Sequence, residues 1–334
     1  MHSRKLGPFT VSAIGLGAMN ISGGYGPRLS DSDGQKLLAK ALDYGYYFFD
    51  TASLYGMGHN EEQVGKALSH RRSEYTLASK CGIKTNDEGQ SISNGRPEVL
   101  IKTCEESLKR LNTDVIDLYY LHRIDANVPV EESVGALSRL VEQGKIRTVG
   151  LSEISSDSLK RAHLTHPITA VQSEYSLWSR TPERKVIDTC RELEIAFVAF
   201  SPLGRQFLTG KSTDCSSLDE SNDVNYRATI ARPRFEPDNF KENSKLLIPF
   251  AKVAENHGIS MSQLALAWLL AKGEDIIPIP GTSNINHLKE NAEAGDIKLP
   301  NETVAELDVL INDDLVSGAR YNNFLMNTVD SERD

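Results

Sequence analysis

The chain has 334 residues, 39% of them hydrophobic and 25% charged, which is the balance of a soluble globular protein with room for one large α/β domain or two ordinary ones. A formal net charge of -9 argues against a nucleic-acid or anionic-membrane surface, and any anionic ligand must meet local positive charge. Cys81, Cys104, Cys190 and Cys215 form no Cys-x-x-Cys pair, no secretory segment opens the chain, and no apolar run approaches the roughly 20 residues of a membrane span; the expectation is a reduced, cytoplasmic protein.

In chain order, Arg4 to Val11 reads as a small hairpin and Ser12 to Met19 as the first buried strand with its loop, which Gly23, Gly24 and Gly26 loosen. A helical pattern runs from a Ser-Asp-Ser-Asp start after Leu29 to a stop at Gly45, and Phe48 to Asp50 is the second strand. The alternation continues with helix at 60–69, strand at 75–80, helix at 97–111, strand at 115–121, helix at 131–143 and strand at 147–151. Beyond lie helix at 156–164, strand at 169–173, helix at 182–193, strand at 195–200, two helices between 241 and 272, strand at 275–279 and helix at 284–294. Eight strands, nearly all followed by helices, demand parallel pairing and predict a closed (β/α)8 barrel formed as one domain over residues 1–334. The stretch from Ser201 to Asn239 follows the seventh strand without strong periodicity and reads as a ligand cover. The last residues of the tail after Asn312 are expected to fray, with Arg320, Tyr321 and Phe324 able to fold over the rim.

Three strand-like runs end in ionisable residues: Tyr46 to Phe49 in Asp50, Tyr75 to Ser79 in Lys80, and Val115 to Leu121 in His122. Barrel strands share one rim at their C-terminal ends, so these groups converge there with Tyr55. Alone, Asp50 and Tyr55 would read as a loop acid beside a packing tyrosine; the repetition is what points to chemistry. Gly15-Leu-Gly17 lacks the third glycine and helix start of a dinucleotide fingerprint. His163 and His166 lack a further ligand nearby, and no metal site is expected.

Taken together, Gly15-Leu-Gly-Ala-Met19, Asp50-Thr-Ala-Ser-Leu-Tyr55-Gly, Lys80, Leu121-His122, Gly150-Leu-Ser152, Ser201-Pro-Leu-Gly204, Pro280-Gly-Thr-Ser283 and Gly318-Ala-Arg320-Tyr321 resemble the aldo-keto reductases, in order over residues 4–325. The nearest likeness is to the microbial and plant branch with a Pro-Gly-Thr cofactor motif and a Gly-x-Arg-Tyr tail. The resemblance implies a TIM barrel reducing aldehydes and ketones with NADPH, with alcohol oxidation or a cofactor-sensing regulatory subunit as alternatives. It assigns a catalytic tetrad to Asp50, Tyr55, Lys80 and His122. A tyrosine of ordinary pKa about 10 is a reluctant proton donor, so the ammonium at Lys80 is expected to lower the phenol pKa, Asp50 to position that lysine, and His122 to hold the substrate oxygen.

The same resemblance places the cofactor along Gly17, Ala18 and Met19, Asp50, Ser152, Glu153 and Gln172 at the carboxamide, and Phe200 on the nicotinamide ring, although an aromatic ending a buried strand is also ordinary core. Glutamate at 153 accepts a hydrogen bond but cannot donate one to the carboxamide oxygen. Ser201, Leu203, Gly204, Arg205 and Lys211 would cover the pyrophosphate. Gly281, Thr282, Ser283, His287, Glu290 and Asn291 would take the adenine end, with the helix N-terminus and Lys289 meeting the 2′-phosphate. Ser283 and His287 stand where many relatives carry Lys or Arg, so NADPH is expected to be preferred over NADH by a modest margin. Tyr25, Trp178 and Tyr321 are candidates for the substrate pocket or for packing.

Overall fold

The computed structural model describes residues 1–85, 91–211, 225–326 and 329–334. An antiparallel hairpin of β1 (Ser3–Leu6) and β2 (Phe9–Ser12) precedes eight parallel strands. In chain order these are β3 (Leu16–Gly17), β4 (Phe48–Asp50), β5 (Thr76–Cys81), β8 (Ile116–Leu121), β9 (Ile146–Ser152), β10 (Ile168–Glu174), β11 (Ala196–Phe200) and β12 (Ile276–Pro278). Each pairs with the next, and the seam closes where the Gly15 amide donates to the Pro278 carbonyl at 3.0 Å and the Gly17 amide to that of Pro280 at 3.3 Å. This is the eight-stranded barrel predicted from the strand count.

Side-chain alternation along each strand splits the apolar residues between two cores. Phe48, Ala78, Leu118, Tyr120, Ala170, Val198 and Ile277 point inward and pack together, with Leu6 and Val11 of the hairpin closing the bottom. Their neighbours Phe49, Leu77, Tyr119, Val171, Phe197 and Ile276 point outward under the helices. The interior is crowded: a Cβ on Gly150 would lie 2.4 Å from the Tyr120 ring, so only glycine fits there.

Helix starts follow their caps. Ser30 accepts from the Asp33 amide to open Asp31–Asp43, Ser155 does the same for Ser156–Thr165, and Ser260 and Gln263 form a reciprocal capping box before Met261–Ala271. The sixth helix begins later than predicted, at Val186, because Pro182 sits in a separate turn over Thr181–Glu183.

Three features depart from the sequence reading. A second hairpin, β6 (Ile83–Thr85) with β7 (Ser91–Ser93), extends from the rim after β5, and a helix forms over Asn301–Leu310. The chain end is docked, against the expectation of fraying: the Ser155 amide and hydroxyl both donate to the Asp330 carboxylate at 2.8 Å, and the Ser331 amide donates to the Glu153 carbonyl at 3.1 Å. Part of the expected cover, residues 212–224 with Cys215, lies outside the described residues; the following segment returns to the rim, where Asn225 bridges to Gly24 and Tyr25.

Candidate active site

The inward positions of the barrel strands continue, two residues on, into a polar layer. Phe48 is followed by Asp50, Ala78 by Lys80, Tyr120 by His122, Gly150 by Ser152, Ala170 by Gln172 and Val198 by Phe200. The period of two that packs the interior therefore aims these side chains into the barrel mouth. There all of them except Lys80, which lies beneath, border a cavity of about 940 Å³ that runs from Ile92 and Ile124 past Tyr55 and His122 to the start of the helix Ile285–Glu293.

Lys80 is fully buried and donates to the Asp50 carboxylate, to the Thr51 carbonyl at 2.9 Å and to Tyr55 Oη at 3.3 Å. The other Asp50 oxygen accepts from Gln172 Nε2 at 2.8 Å, and the His122 ring meets the Tyr55 ring edge-on with centroids 5.9 Å apart. The four residues expected to converge do so. Burial raises the Asp50 carboxyl, and the Lys80 charge beside it works the other way; burial lowers the Lys80 ammonium, and Asp50 opposes that. The Tyr55 phenol is raised, chiefly by burial and then by Asp50, while Arg123 acts to lower it. The expected lowering by Lys80 does not dominate, because Asp50 offsets the ammonium charge and the phenolate is the costly form to bury. The His122 imidazole is pushed well below its ordinary value by burial, then by Arg123 and Lys80, and is neutral at pH 7.

Gly17, Met19, Asp50, Ser152, Gln172, Phe200, Ser201, Leu203, Arg205 and Lys211 all border the cavity. So do Gly281, Thr282, Ser283, His287, Glu290 and Asn291, as well as Tyr25 and Tyr321. Ala18 does not; its carbonyl accepts from Asn60 Nδ2 at 2.9 Å. Gly204 is turned under the Trp178 ring, and Trp178 is buried and stacked on Phe207 with centroids 3.9 Å apart, so both are packing residues.

Glu153 and Arg205 are spent elsewhere. Glu153 is fully buried and accepts from Arg320 Nη2 at 2.6 Å, Ser331 Oγ at 2.7 Å and the Glu174 amide at 2.8 Å, which corrects its placement at the carboxamide. Arg205 Nη2 donates to Glu174 at 2.7 Å, and Arg320 Nη1 reaches the same carboxylate at 3.4 Å. Tyr321 lies with both guanidinium carbons 4.7 Å from its ring centroid. Burial alone would raise the Glu153 carboxyl, but the Arg320 charge and hydrogen bonds outweigh it and hold the group down at about 2. Arg205 thus lines the cavity as a member of a closed charge network, without a free fork for a pyrophosphate.

At the far end Lys211 Nζ lies 3.0 Å from His287 Nε2, placing a cation beside Ser283 that sequence distance concealed. Lys289 instead pairs with Glu293 at 3.8 Å on the exposed face. The first-turn amides of the helix Ile285–Glu293 have no intrahelical acceptors, and Asn284 Oδ1 takes only that of Asn286, at 2.8 Å. Gly17 and Gly281 keep the backbone close here: a Cβ would fall 2.8 Å from the Ile279 carbonyl oxygen at the first and 2.6 Å from Asn20 Oδ1 at the second. A long cleft with a cation and helix-start amides at one end, and the Ser152 hydroxyl and Gln172 amide at the other, has the length and donor set to fit a nicotinamide dinucleotide phosphate. Sequence reasoning missed Ser262 in this lining, which carried no motif.

The sequence pattern of the Aldo/keto reductase family matches residues 13–312. A probable aldo-keto reductase 1 of Glycine max is 42% identical over 324 residues, covering 96% of this chain and 92% of its own. The NADP(+) aldo-keto reductase yakc of Schizosaccharomyces pombe is 42% identical over 325 residues, covering 96% and 94%. The solved structure of a glycerol dehydrogenase from Gluconobacter oxydans superposes with a TM-score of 0.82 at 28% identity, over 98% of this chain and 96% of the other.

Proposed function

Because the chain belongs to the aldo/keto reductase family and is therefore an oxidoreductase, we propose that it reduces aldehydes and ketones to alcohols with NADPH, and that Tyr55 is the general acid. The observation that carries this reading is the buried Lys80, bound to Asp50 and to Tyr55 Oη at the floor of an open cavity. When bound, the dihydronicotinamide supplies the hydride that the carbonyl carbon receives. The carbonyl oxygen gains negative charge as this happens, and Tyr55 Oη transfers its proton to it. Burial makes the free phenolate costly, and the ammonium already hydrogen-bonded to Tyr55 Oη compensates the charge left behind. Asp50 keeps Lys80 protonated in a site that would otherwise favour the amine. The neutral imidazole of His122 offers one N–H to orient the substrate oxygen without competing as an acid.

Ser152 Oγ and the free Oε1 of Gln172 suit the carboxamide, since Gln172 Nε2 is taken by Asp50. Phe200 would lie on the ring, Ser201 and Leu203 on the pyrophosphate, Lys211, Ser283, His287 and the helix amides on the 2′-phosphate, and Glu290 and Asn291 on the adenine. The relative from Schizosaccharomyces pombe carries NADP(+) in its name, which supports the same choice. The same site runs in reverse, and the name of the Gluconobacter oxydans structure makes alcohol oxidation the second reading.

A panel of aromatic and aliphatic aldehydes and ketones, followed by loss of NADPH absorbance, tests the assignment. Turnover with NADPH exceeding that with NADH is the expected result, and no turnover of any carbonyl by folded protein would overturn it.

A further inference from the structure

Arg123, directly after His122, is a cation at the cavity floor that the acid and base groups leave with donors to spare. Its Nη1 donates to the His122 carbonyl at 2.6 Å and to Ser152 Oγ at 3.1 Å, which fixes the guanidinium between the two strand ends. Its Nε and Nη2 meet no acceptor among the described residues, although both belong to a half-buried side chain bordering the cavity. Of the other charged groups on the lining, Glu290 lies with His287 on the helix Ile285–Glu293, away from the strand ends, and four are held by partners. Arg205 is held by Glu174 and Arg333 by Asp330 at 3.2 Å. Asp50 is taken by Lys80 and Gln172, and Asp125 by the Gly95 amide at 3.1 Å and the Asn127 amide at 2.9 Å. Lys211 stands at the opposite end beside His287.

The cavity that Arg123 borders is also lined by Leu54, Ile83, Ile92 and Ile124, the last its neighbour in the chain. A planar guanidinium with two nitrogens unspent is suited to a carboxylate, which accepts from both at once. Arg123 is also close enough to the acid that its charge acts on both Tyr55 and His122. We infer that the preferred substrates of this enzyme are aldehydes or ketones that carry a carboxylate, seated on Arg123 while the carbonyl oxygen meets Tyr55 and His122. This rests on the reductase reading and adds a substrate class to it. A neutral carbonyl leaves the donors of Arg123 unmatched and loses the charge-assisted bonds.

The test compares 2-, 3- and 4-carboxybenzaldehyde with their methyl esters, in the wild type and in Arg123→Leu and Arg123→Lys. The wild type is expected to favour at least one acid over its ester by about ten-fold or more in kcat/KM. Arg123→Leu should bring acid down toward ester, mainly through KM, and Arg123→Lys should restore part of the preference. In a second arm, binding of the corresponding carboxybenzyl alcohols and their esters is titrated by tryptophan fluorescence with NADP present, which needs no turnover. Tighter binding of acid than ester, lost in Arg123→Leu, supports the inference even if no aldehyde is reduced, an outcome that would count against the reductase reading alone. Equal treatment of acid and ester by the wild type in both arms overturns it. So does an Arg123→Leu variant that loses acid, ester and NADP binding in equal proportion, because the guanidinium would then be serving the cofactor.

Discussion

Two clusters of buried charge share the rim of this barrel, and they are built for opposite ends. In one, Asp50, Lys80, Tyr55 and His122 gather at strand ends with the phenol and imidazole facing an open cavity. In the other, Glu153, Glu174, Arg205 and Arg320 answer one another, with Ser331 and the Tyr321 ring completing the set. Asp50 and Lys80 in the first are buried as deeply as the carboxylates of the second. The difference is what remains unspent, and it teaches that a buried charge points to chemistry only where a neighbouring group still has a proton or a lone pair to offer outward.

The comparison is broken or sharpened first at Tyr55. Replacing it with Phe should cost about 10²- to 10⁴-fold in turnover while leaving NADPH affinity and thermal stability near those of the wild type, because the lost hydroxyl acts on the reacting oxygen. A folded variant with normal kcat would remove the acid role, and a large drop in melting temperature would make this cluster structural like its neighbour.

Arg320→Leu is the matching experiment on the closed cluster. Removing one partner of a buried ion pair typically costs about 3–5 kcal/mol, and here it leaves the Glu153 carboxylate without its cation, so urea unfolding should shift by an amount of that order. The pH profile gives the same test without mutation. The Glu153 carboxyl is held at about 2 against an ordinary 4.5, so its contribution is fully present above pH 4.5 and is lost as pH falls toward 2. Wild-type stability should fall through that window, and Glu153→Gln, already destabilised, should fall less steeply. A parallel slope in the two proteins would show that the clasp is not what acid dissolves.

Smaller effects are expected at the edges. Lys211→Ala should reduce the preference for NADPH over NADH by about three- to ten-fold, and the difference should shrink in high salt because the pair with His287 is exposed. An unchanged ratio would take Lys211 out of phosphate recognition. Cys81→Ala should leave kcat unaltered, since the side chain points into the outer core and burial raises its thiol far out of the reactive range. Inactivation with a normal melting curve would contradict that.

The legibility of the sequence follows the same division. Asp50, Lys80 and His122 could be read because each ends an apolar run, and the period of a strand then fixes both the rim and the direction of the side chain. Eight such runs also fixed the barrel. Glu153 was misread because the chain departs from extended backbone there: it turns to a φ of 54° and sends the carboxylate to Arg320, a partner distant in sequence. Arg205 borders the cavity as expected, but its counter-ion Glu174 could not be foreseen from the loop sequence. Lys211 and His287, 76 residues apart, meet because the strands they follow, β11 and β12, are neighbours in the sheet. The docked chain end was hidden because Asp330 and Ser331 look like an ordinary polar tail until Ser155 and Glu153 are placed beneath them.

The seam between β3 and β12 sets a schedule for synthesis. Gly15 and Gly17 find their hydrogen-bond partners only at Pro278 and Pro280, so the first barrel strand leaves the ribosome with an open edge and keeps it until most of the chain has emerged. An unpaired edge of this kind is where nascent chains adhere to one another. Until then the emerging amino-terminal half has an edge to shield, and a ribosome stalled before residue 278 would hold a sheet that cannot close.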